Sequence, residues 1–348
     1  MKPLVASLII LAIPAGAGAA ALAVAEFVNE RAPYPECHAA TIAEAAPGCL
    51  VAAWFGGTRE GNPDVCIWVA RREDGRWLEA TNVANGLQTD GRRFPTWNPV
   101  LFQPRSGPLV LFYKVGPAPD RWWGMMTTSR DGGKTWSPPQ RLPEGILGPI
   151  KNKPVPLPDG AWLCPSSAEG GPGGWRVHFE LTRDAGRTWE IMGPVERGPD
   201  LQAIQPSVLW HRAGRLQALC RTRNGVIATT WSDDDGRKWS ALAVTPLPNP
   251  NSGIDAVTLA DGRQLLVYNH SAPPPNQPGR GARCPLDVAL SDDGVAWRHV
   301  LTLESTPCPN GYAYPSVIQS ADGFVHVVYT WNRQRIKYVV LDPRDLKP

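Results

Sequence analysis

Six times along this chain a polar residue precedes small or proline residues, a short apolar run and a glycine turn. The six starts are His38, Asn98, Lys153, Gln205, Asp255 and Tyr314, spaced by 60, 55, 52, 50 and 59 residues. Their turns fall at Gly48, Gly107, Gly160, Gly214, Gly262 and Gly323. Each turn opens a second apolar run, at residues 50–55, 109–113, 161–164, 216–220, 264–268 and 324–329. Short runs rich in Val, Ile, Tyr, Phe and Trp, bounded by Gly and Pro, read as strands. Third strands follow, for example at residues 124–128 and 226–231, and lead into a hairpin of recurring sequence.

That hairpin reads Ser129-Arg-Asp131-Gly-Gly133-Lys-Thr135-Trp136. It recurs as Thr182-Arg-Asp184-Ala-Gly186-Arg-Thr188-Trp189, as Ser232-Asp-Asp234-Asp-Gly236-Arg-Lys238-Trp239 and, shortened, as Ser291-Asp-Asp293-Gly294-Val-Ala-Trp297. A worn copy, Arg72-Glu-Asp74-Gly75-Arg-Trp77, precedes them. The Trp positions step by 59, 53, 50 and 58 residues, the period of a propeller blade. Within the turn the Asp carboxylate can accept backbone N–H groups, Gly supplies the positive φ, and Trp covers the neighbouring strand. The repeat therefore serves folding. Strand, turn, strand, loop, strand, hairpin, strand makes one four-stranded antiparallel blade, and six copies make an all-β, six-bladed β-propeller.

This topology assigns faces. Neighbouring strands are antiparallel, so the start of strand one, the end of strand two and the start of strand three share one face. The Asp hairpins lie on the other. His38, Asn98, Lys153, Gln205, Asp255 and Tyr314, opening the innermost strands, are expected to ring a central mouth. Second strands add Lys114, Arg221, Arg223, Asn269 and His270; third strands add Asp64, Trp122, Trp123, Trp175 and Arg283. A concave mouth with such a lining is the expected binding site. Residues 55–64 bring Arg59, Glu60 and Asp64 on a glycine-hinged loop. Residues 169–175 form a glycine-rich flap ending in Trp175, an indole able to stack on a sugar face. Arg176, His178 and Glu180 share one strand face by period two and read as a structural trio.

Composition agrees: 15 Trp, 34 Gly and 37 Pro in 348 residues favour turns and aromatic wedges over helix. A net charge of +3 is too small and scattered to imply nucleic acid or a membrane surface. No Cys/His spacing marks a metal site, and no cofactor is implied. Seven Cys cannot all pair internally. Cys66, Cys164 and Cys220 read as buried thiols, and Cys284 with Cys308 is the one pair to test for a disulfide. Residues 1–25 read as a targeting segment: Lys2, an apolar run from Leu4 to Ile13, then small residues with several Ala-x-Ala cleavage sites. A retained membrane anchor is the alternative. Either way residues 26–348 are expected to be one exported propeller domain, periplasmic or extracellular and monomeric.

The boxes resemble the Asp boxes of the sialidase (neuraminidase) superfamily, whose fold is a six-bladed propeller. Cys37-His38-Ala, Trp54-Phe-Gly-Gly-Thr, Trp97-Asn-Pro-Val and Tyr312-Ala-Tyr314-Pro look like phrases of its bacterial and plant BNR-repeat branch. The likeness runs from about Phe27 to Lys347. Such boxes specify fold more than activity. The resemblance implies an arginine trio gripping a substrate carboxylate, an Asp acid/base, and a Tyr nucleophile backed by Glu. Tyr314 matches the nucleophile and Asp64 the acid/base. Arg221 and Arg283, with Arg280 as the nearby alternative for the latter, match two of the arginines. His38 stands where the first arginine would be, and Gln205 where the Glu would be. An amide orients a hydroxyl but does not take its proton. Histidine lacks the bidentate fork and the permanent charge. A carboxylate for Tyr314 would have to come from Asp255 or Glu169.

The implied function is an exo-acting glycoside hydrolase removing a terminal acidic sugar, sialic acid or a uronate, from an oligosaccharide or glycoconjugate. Asp64 would be the acid/base, Tyr314 the nucleophile and Gln205 its positioner. Arg221, Arg283 and His38 would bind the carboxylate, with Arg223, Arg59, Lys114, Lys153, Asn98, Asp255 and Trp175 as further contacts. Two alternatives stand beside it. A polysaccharide lyase would use His38 and Tyr314 as base and acid while the arginines neutralise a uronate. A non-catalytic glycan-binding propeller would stack sugars on Trp97, Trp122, Trp123 and Trp175.

Overall fold

A computed structural model describes residues 21–347 except 171, 172, 199 and 278, and shows six antiparallel sheets arranged as propeller blades. Inner strands are Glu36–Ala46, Thr96–Phe102, Val155–Pro156, Ala203–Trp210, Asp255–Thr258 and Tyr312–Gln319. Five blades have four strands. In blade one the outer place is shared by Arg76–Trp77 and Thr81–Ala84, both pairing with Cys66–Glu73. Second strands are sandwiched between neighbouring blades, so they read as continuous apolar runs; all seven residues of Leu109–Val115 are buried. Each Leu, Val or Phe so buried contributes about 1.5–3 kcal/mol.

The sixth blade is closed from the other end of the chain. Leu22–Phe27 pairs with Arg335–Leu341 and forms its outer strand. Residues 22–25, which the sequence reading gave to the targeting segment, therefore belong to the propeller. Small apolar residues ahead of an Ala-x-Ala site look the same as a half-buried strand, and here exposure alternates along the first four positions. Residues 1–20 of that segment lie outside the described residues.

The Asp hairpins act as blade-to-blade clasps. Asp131 Oδ1 accepts from Ser129 Oγ at 2.8 Å and from the N–H groups of Lys134 and Thr135 at 3.0 and 2.9 Å. Asp184 repeats the pattern, and the Thr188 hydroxyl and amide hold its carboxyl down at about 2. The box indoles reach back to the preceding blade: Trp239 stacks on Phe179 with centroids 4.0 Å apart. Inner strands do not pair with one another across blades, so neighbouring side chains satisfy some of their N–H groups. Leu101 donates to Thr41 Oγ1 at 3.1 Å, and Val317 to Asp255 Oδ2 at 2.8 Å.

Four inner strands break register at one height, between His38 and Thr41, Trp97 and Val100, Ile204 and Ser207, and Ala313 and Ser316. Each break holds a residue of positive φ: Ala39 at 57°, Asn98 at 38°, Gln205 at 56° and Tyr314 at 52°. Such strain costs about 1–3 kcal/mol per non-glycine residue and gathers at functional sites. A bulge also re-aims its side chain. The blade-one counterpart of Tyr314 is therefore Ala39. The sequence alignment of His38 with that position is one residue out.

Candidate active site

Tyr314 sits at the centre of the mouth, 9% exposed, on the bulge that opens blade six. Arg221 ends the second strand of blade four, and its Nη1 donates to the Tyr314 hydroxyl at 2.7 Å. The same nitrogen donates to Gln205 Oε1 at 3.2 Å, and Gln205 Nε2 lies 3.4 Å from the Tyr314 hydroxyl. Two donors thus face the phenolic oxygen. Arg221 is locked from behind by Asn251, whose side-chain oxygen accepts from Nε at 3.1 Å and from Nη2 at 2.6 Å. Below the tyrosine ring, Lys151 Nζ lies 5.9 Å from its centroid and donates to Asn152 Oδ1, Ile254 O and Pro315 O, tying blades three, five and six together. Burial brings the Lys151 ammonium down to about 7.

Two further guanidinium groups face this centre. Arg283 lies 5.8 Å from the Tyr314 centroid, lowered to about 10 chiefly by burial. Arg333 comes from the turn between Val325–Trp331 and Arg335–Leu341, on left-handed backbone at φ 57°. Its carbonyl accepts from Cys37 N at 2.8 Å, which places the residue beside His38. Arg221, Arg283 and Arg333 line a cavity of about 470 Å³ together with Arg280, Asn251 and Asn310. Arg333 pairs with Glu60 at 2.5 Å, bridging the blade-one loop to blade six. A site with three guanidinium groups and a donor-stabilised phenol suits a ligand bearing a carboxylate.

A family model described as a BNR repeat-like domain matches residues 48–327. The chain belongs to the BNR repeat-like family. Its fold is similar to a protein of unknown function from Dyadobacter fermentans, at 18% identity and TM-score 0.72, covering 88% of this chain and 94% of that one. It is similar to the NanB sialidase of Streptococcus pneumoniae at 14% identity and TM-score 0.73, covering 94% and 71%. It is also similar to a Trypanosoma rangeli sialidase, solved with 2,3-difluorosialic acid as a covalent intermediate, at 16% identity and TM-score 0.69, covering 90% and 55%. At such identities the likeness shows the fold. No curated protein sequence matches the chain. The resemblance to sialidase-like BNR-repeat proteins drawn from the boxes stands.

Several BNR-mouth residues expected from sequence are placed elsewhere or otherwise employed. His38 is 2% exposed, bonds Thr330 Oγ1 through Nδ1 at 2.9 Å and packs 4.2 Å from the Tyr314 ring. Burial and then the nearby arginines hold its imidazole well below the usual range, so it is neutral at pH 7 and offers no charge to a carboxylate. Lys153 and Asp255 bind each other at 2.9 Å, and Asp255 also accepts from Ser207 and Val317. They staple inner strands together, and neither lines the cavity that Arg221, Arg283 and Arg333 share. Lys114 is fully buried, brought down to about 7 by that burial, and donates to Pro149 O. Its expected ligand contact is not available.

Trp175 is 7% exposed and carries Arg223 at 4.1 Å and Arg221 at 5.4 Å over its ring. The indole is a platform for arginines, not an open sugar-stacking face. Trp97 and Trp122 pack 6.0 Å apart around Ile150 and are likewise buried. Asn98 is buried on its bulge, whereas Arg59 and Arg223 are exposed on the mouth-side loops. Of the expected strand trio, His178 and Glu180 pair at 3.0 Å, and Glu180 holds the Leu147 and Gly148 amides. Cys284 and Cys308 are free thiols lining the cavity.

Asp64 is half-buried in its loop, with Oδ2 accepting from both Thr58 N, at 2.7 Å, and Thr58 Oγ1, at 2.5 Å. The Thr58 hydroxyl is the largest influence and lowers its pKa; burial opposes it, and the Thr58 amide adds to the lowering. Sequence reasoning missed Arg333, Asn251 and Lys151. Arg333 was within reach, because the face rule applied to the second turn of blade six points to residues 331–335. Asn251 and Lys151 lie in loops ahead of short inner strands, where no periodicity marks them.

Proposed function

We propose that this protein is an exo-acting glycoside hydrolase that removes a terminal acidic sugar, sialic acid or a uronate, from an oligosaccharide. One observation carries the reading: the Tyr314 hydroxyl accepts from Arg221 at 2.7 Å beside a cavity of about 470 Å³ into which Arg283 and Arg333 also project. A volume of that order suits one or two sugar rings. The guanidinium trio would grip the sugar carboxylate through charge-assisted hydrogen bonds, each worth about 1.5–3 kcal/mol. Arg221 and Gln205 would stabilise negative charge on the Tyr314 oxygen as it attacks the anomeric carbon. Arg333 takes up the task that the missing first arginine leaves open.

The lyase alternative loses support, because His38 is sealed behind Tyr314 and bonded to Thr330. Incubating purified protein with a panel of sialosides and uronosides tests the reading. Release of a free acidic sugar supports it. Unsaturated uronate product, with its new ultraviolet absorbance, would favour the lyase. Binding without turnover would make the propeller a glycan receptor.

A further inference from the structure

A second carboxyl group stands one hydrogen-bonded step from the nucleophile. Glu169 ends the strand Trp162–Glu169 of blade three and is half-buried. Its Oε1 accepts from Gln205 Nε2 at 2.9 Å, the same nitrogen that approaches the Tyr314 hydroxyl. Arg221 donates to Gln205 Oε1, so the amide cannot turn over without setting its NH₂ against a guanidinium. Glu169 Oε2 makes no hydrogen bond among the described residues and is not sealed from solvent. Asp64 is the opposite case: two donors from Thr58 converge on one oxygen and favour its ionised form.

We propose that Glu169, and not Asp64, donates the proton to the leaving oxygen in the hydrolysis described above. The inference rests on the hydrolase reading of the same mouth. Once the Tyr314 hydroxyl has given its proton to solvent, with Arg221 and Gln205 donating to the oxygen left behind, that oxygen bonds in the first step to the anomeric carbon. The bond from that carbon to the leaving oxygen breaks, its electron pair stays on that oxygen, and the Glu169 proton joins it. The products are a glycosyl-tyrosine, a free alcohol and the Glu169 carboxylate. In the second step water attacks the anomeric carbon and gives a proton back to Glu169, and the Tyr314 phenolate departs.

The surroundings of Glu169 favour a proton on it. Burial raises its pKa, and Glu60 acts in the same direction. Arg221, the Gln205 amide and Lys114 act in the opposite direction. A raised carboxyl pKa is a shift in the direction that a general acid requires.

The test compares Glu169→Gln and Asp64→Asn on two glycosides of the released sugar, one with an acidic phenol and one with an alkyl alcohol as leaving group. Glu169→Gln is expected to lose about 100-fold or more in kcat/KM on the alkyl glycoside and less than about 10-fold on the phenol. Its activity on the phenol should also lose the fall that wild type shows as pH rises. Asp64→Asn is expected to show no dependence on the leaving group. An unchanged thermal midpoint confirms that Glu169→Gln folds. Should it not fold, Glu169→Ala with added formate replaces it, and formate is expected to restore turnover. Equal losses on both substrates, or a loss that depends on the leaving group in Asp64→Asn alone, overturn the proposal and leave the hydrolase reading intact. Wild-type protein that releases no sugar overturns both.

Discussion

Glu60 holds Arg333 at 2.5 Å, so a carboxylate already occupies one member of the guanidinium trio before any ligand arrives. Both side chains are partly exposed, at 33% and 23%, and the pair is worth little to stability. An incoming sugar carboxylate must compete with it. Replacing Glu60 by Gln is expected to lower KM for the acidic sugar by about 3–10-fold, on the scale of about 1 kcal/mol for an exposed ion pair. Steady-state kinetics checks this, and an unchanged or raised KM would mean that Glu60 assists binding.

The Lys153–Asp255 pair supports the fold and not the ligand. Asp255 is completely buried and accepts four kinds of donor, from Lys153, Ser207, Ala256 and Val317. Asp255→Ala is expected to cost about 3–5 kcal/mol, because it leaves the Lys153 ammonium without its counter-ion and the Val317 amide without its acceptor. Denaturant unfolding reads the loss. Turnover per folded molecule should stay within about twofold of wild type, a small effect on the 1.4 kcal/mol per decade scale.

His38 makes stability depend on pH. Its folded-state pKa lies well below 6.5, because burial and Arg333 oppose the charged ring. Between that lowered value and 6.5 the unfolded chain binds a proton that the folded chain does not. Stability therefore falls as pH drops below about 6.5, by up to about 1.4 kcal/mol per pH unit. Unfolding curves of wild type and His38→Asn, measured between pH 7 and 5, should diverge in slope by about one proton. Parallel curves would place a charged or exposed imidazole at this position.

The outer strand of blade six comes from the extreme start of the propeller. Removing residues 1–20 is expected to leave the thermal midpoint unchanged, whereas removal through Phe27 strips Arg335–Leu341 of its partner and exposes Tyr338 and Val340. The second truncation should aggregate or melt well below the first. If a leader is cut from this chain, the cut is expected to fall before Leu22, and N-terminal sequencing of the mature protein checks that.

The repeat was legible because strand periodicity, glycine turns and Asp boxes recur with one spacing, and those local rules agree with the global fold. The mouth followed from it. Chain topology alone carries Arg221, Arg283 and Tyr314 to one rim, across three blades. Finer assignments failed where the backbone departs from regular pairing. The bulges at Ala39 and Tyr314 shift side chains by one position, so His38 appeared to be a rim residue when it is a buried neighbour. Charge also misled. Lys114, Lys153 and Asp255 looked like ligand contacts because a sequence does not show that a lysine ends on a carbonyl or a partner carboxylate inside the fold.

The most direct test of Tyr314 as nucleophile is mass spectrometry of protein quenched after exposure to a fluorinated glycosyl fluoride of the acidic sugar. Slow hydrolysis of the trapped intermediate should leave one sugar mass on the peptide containing Tyr314, absent from Tyr314→Phe. Turnover of natural substrate with no adduct on that peptide, or an adduct on another residue, would contradict it.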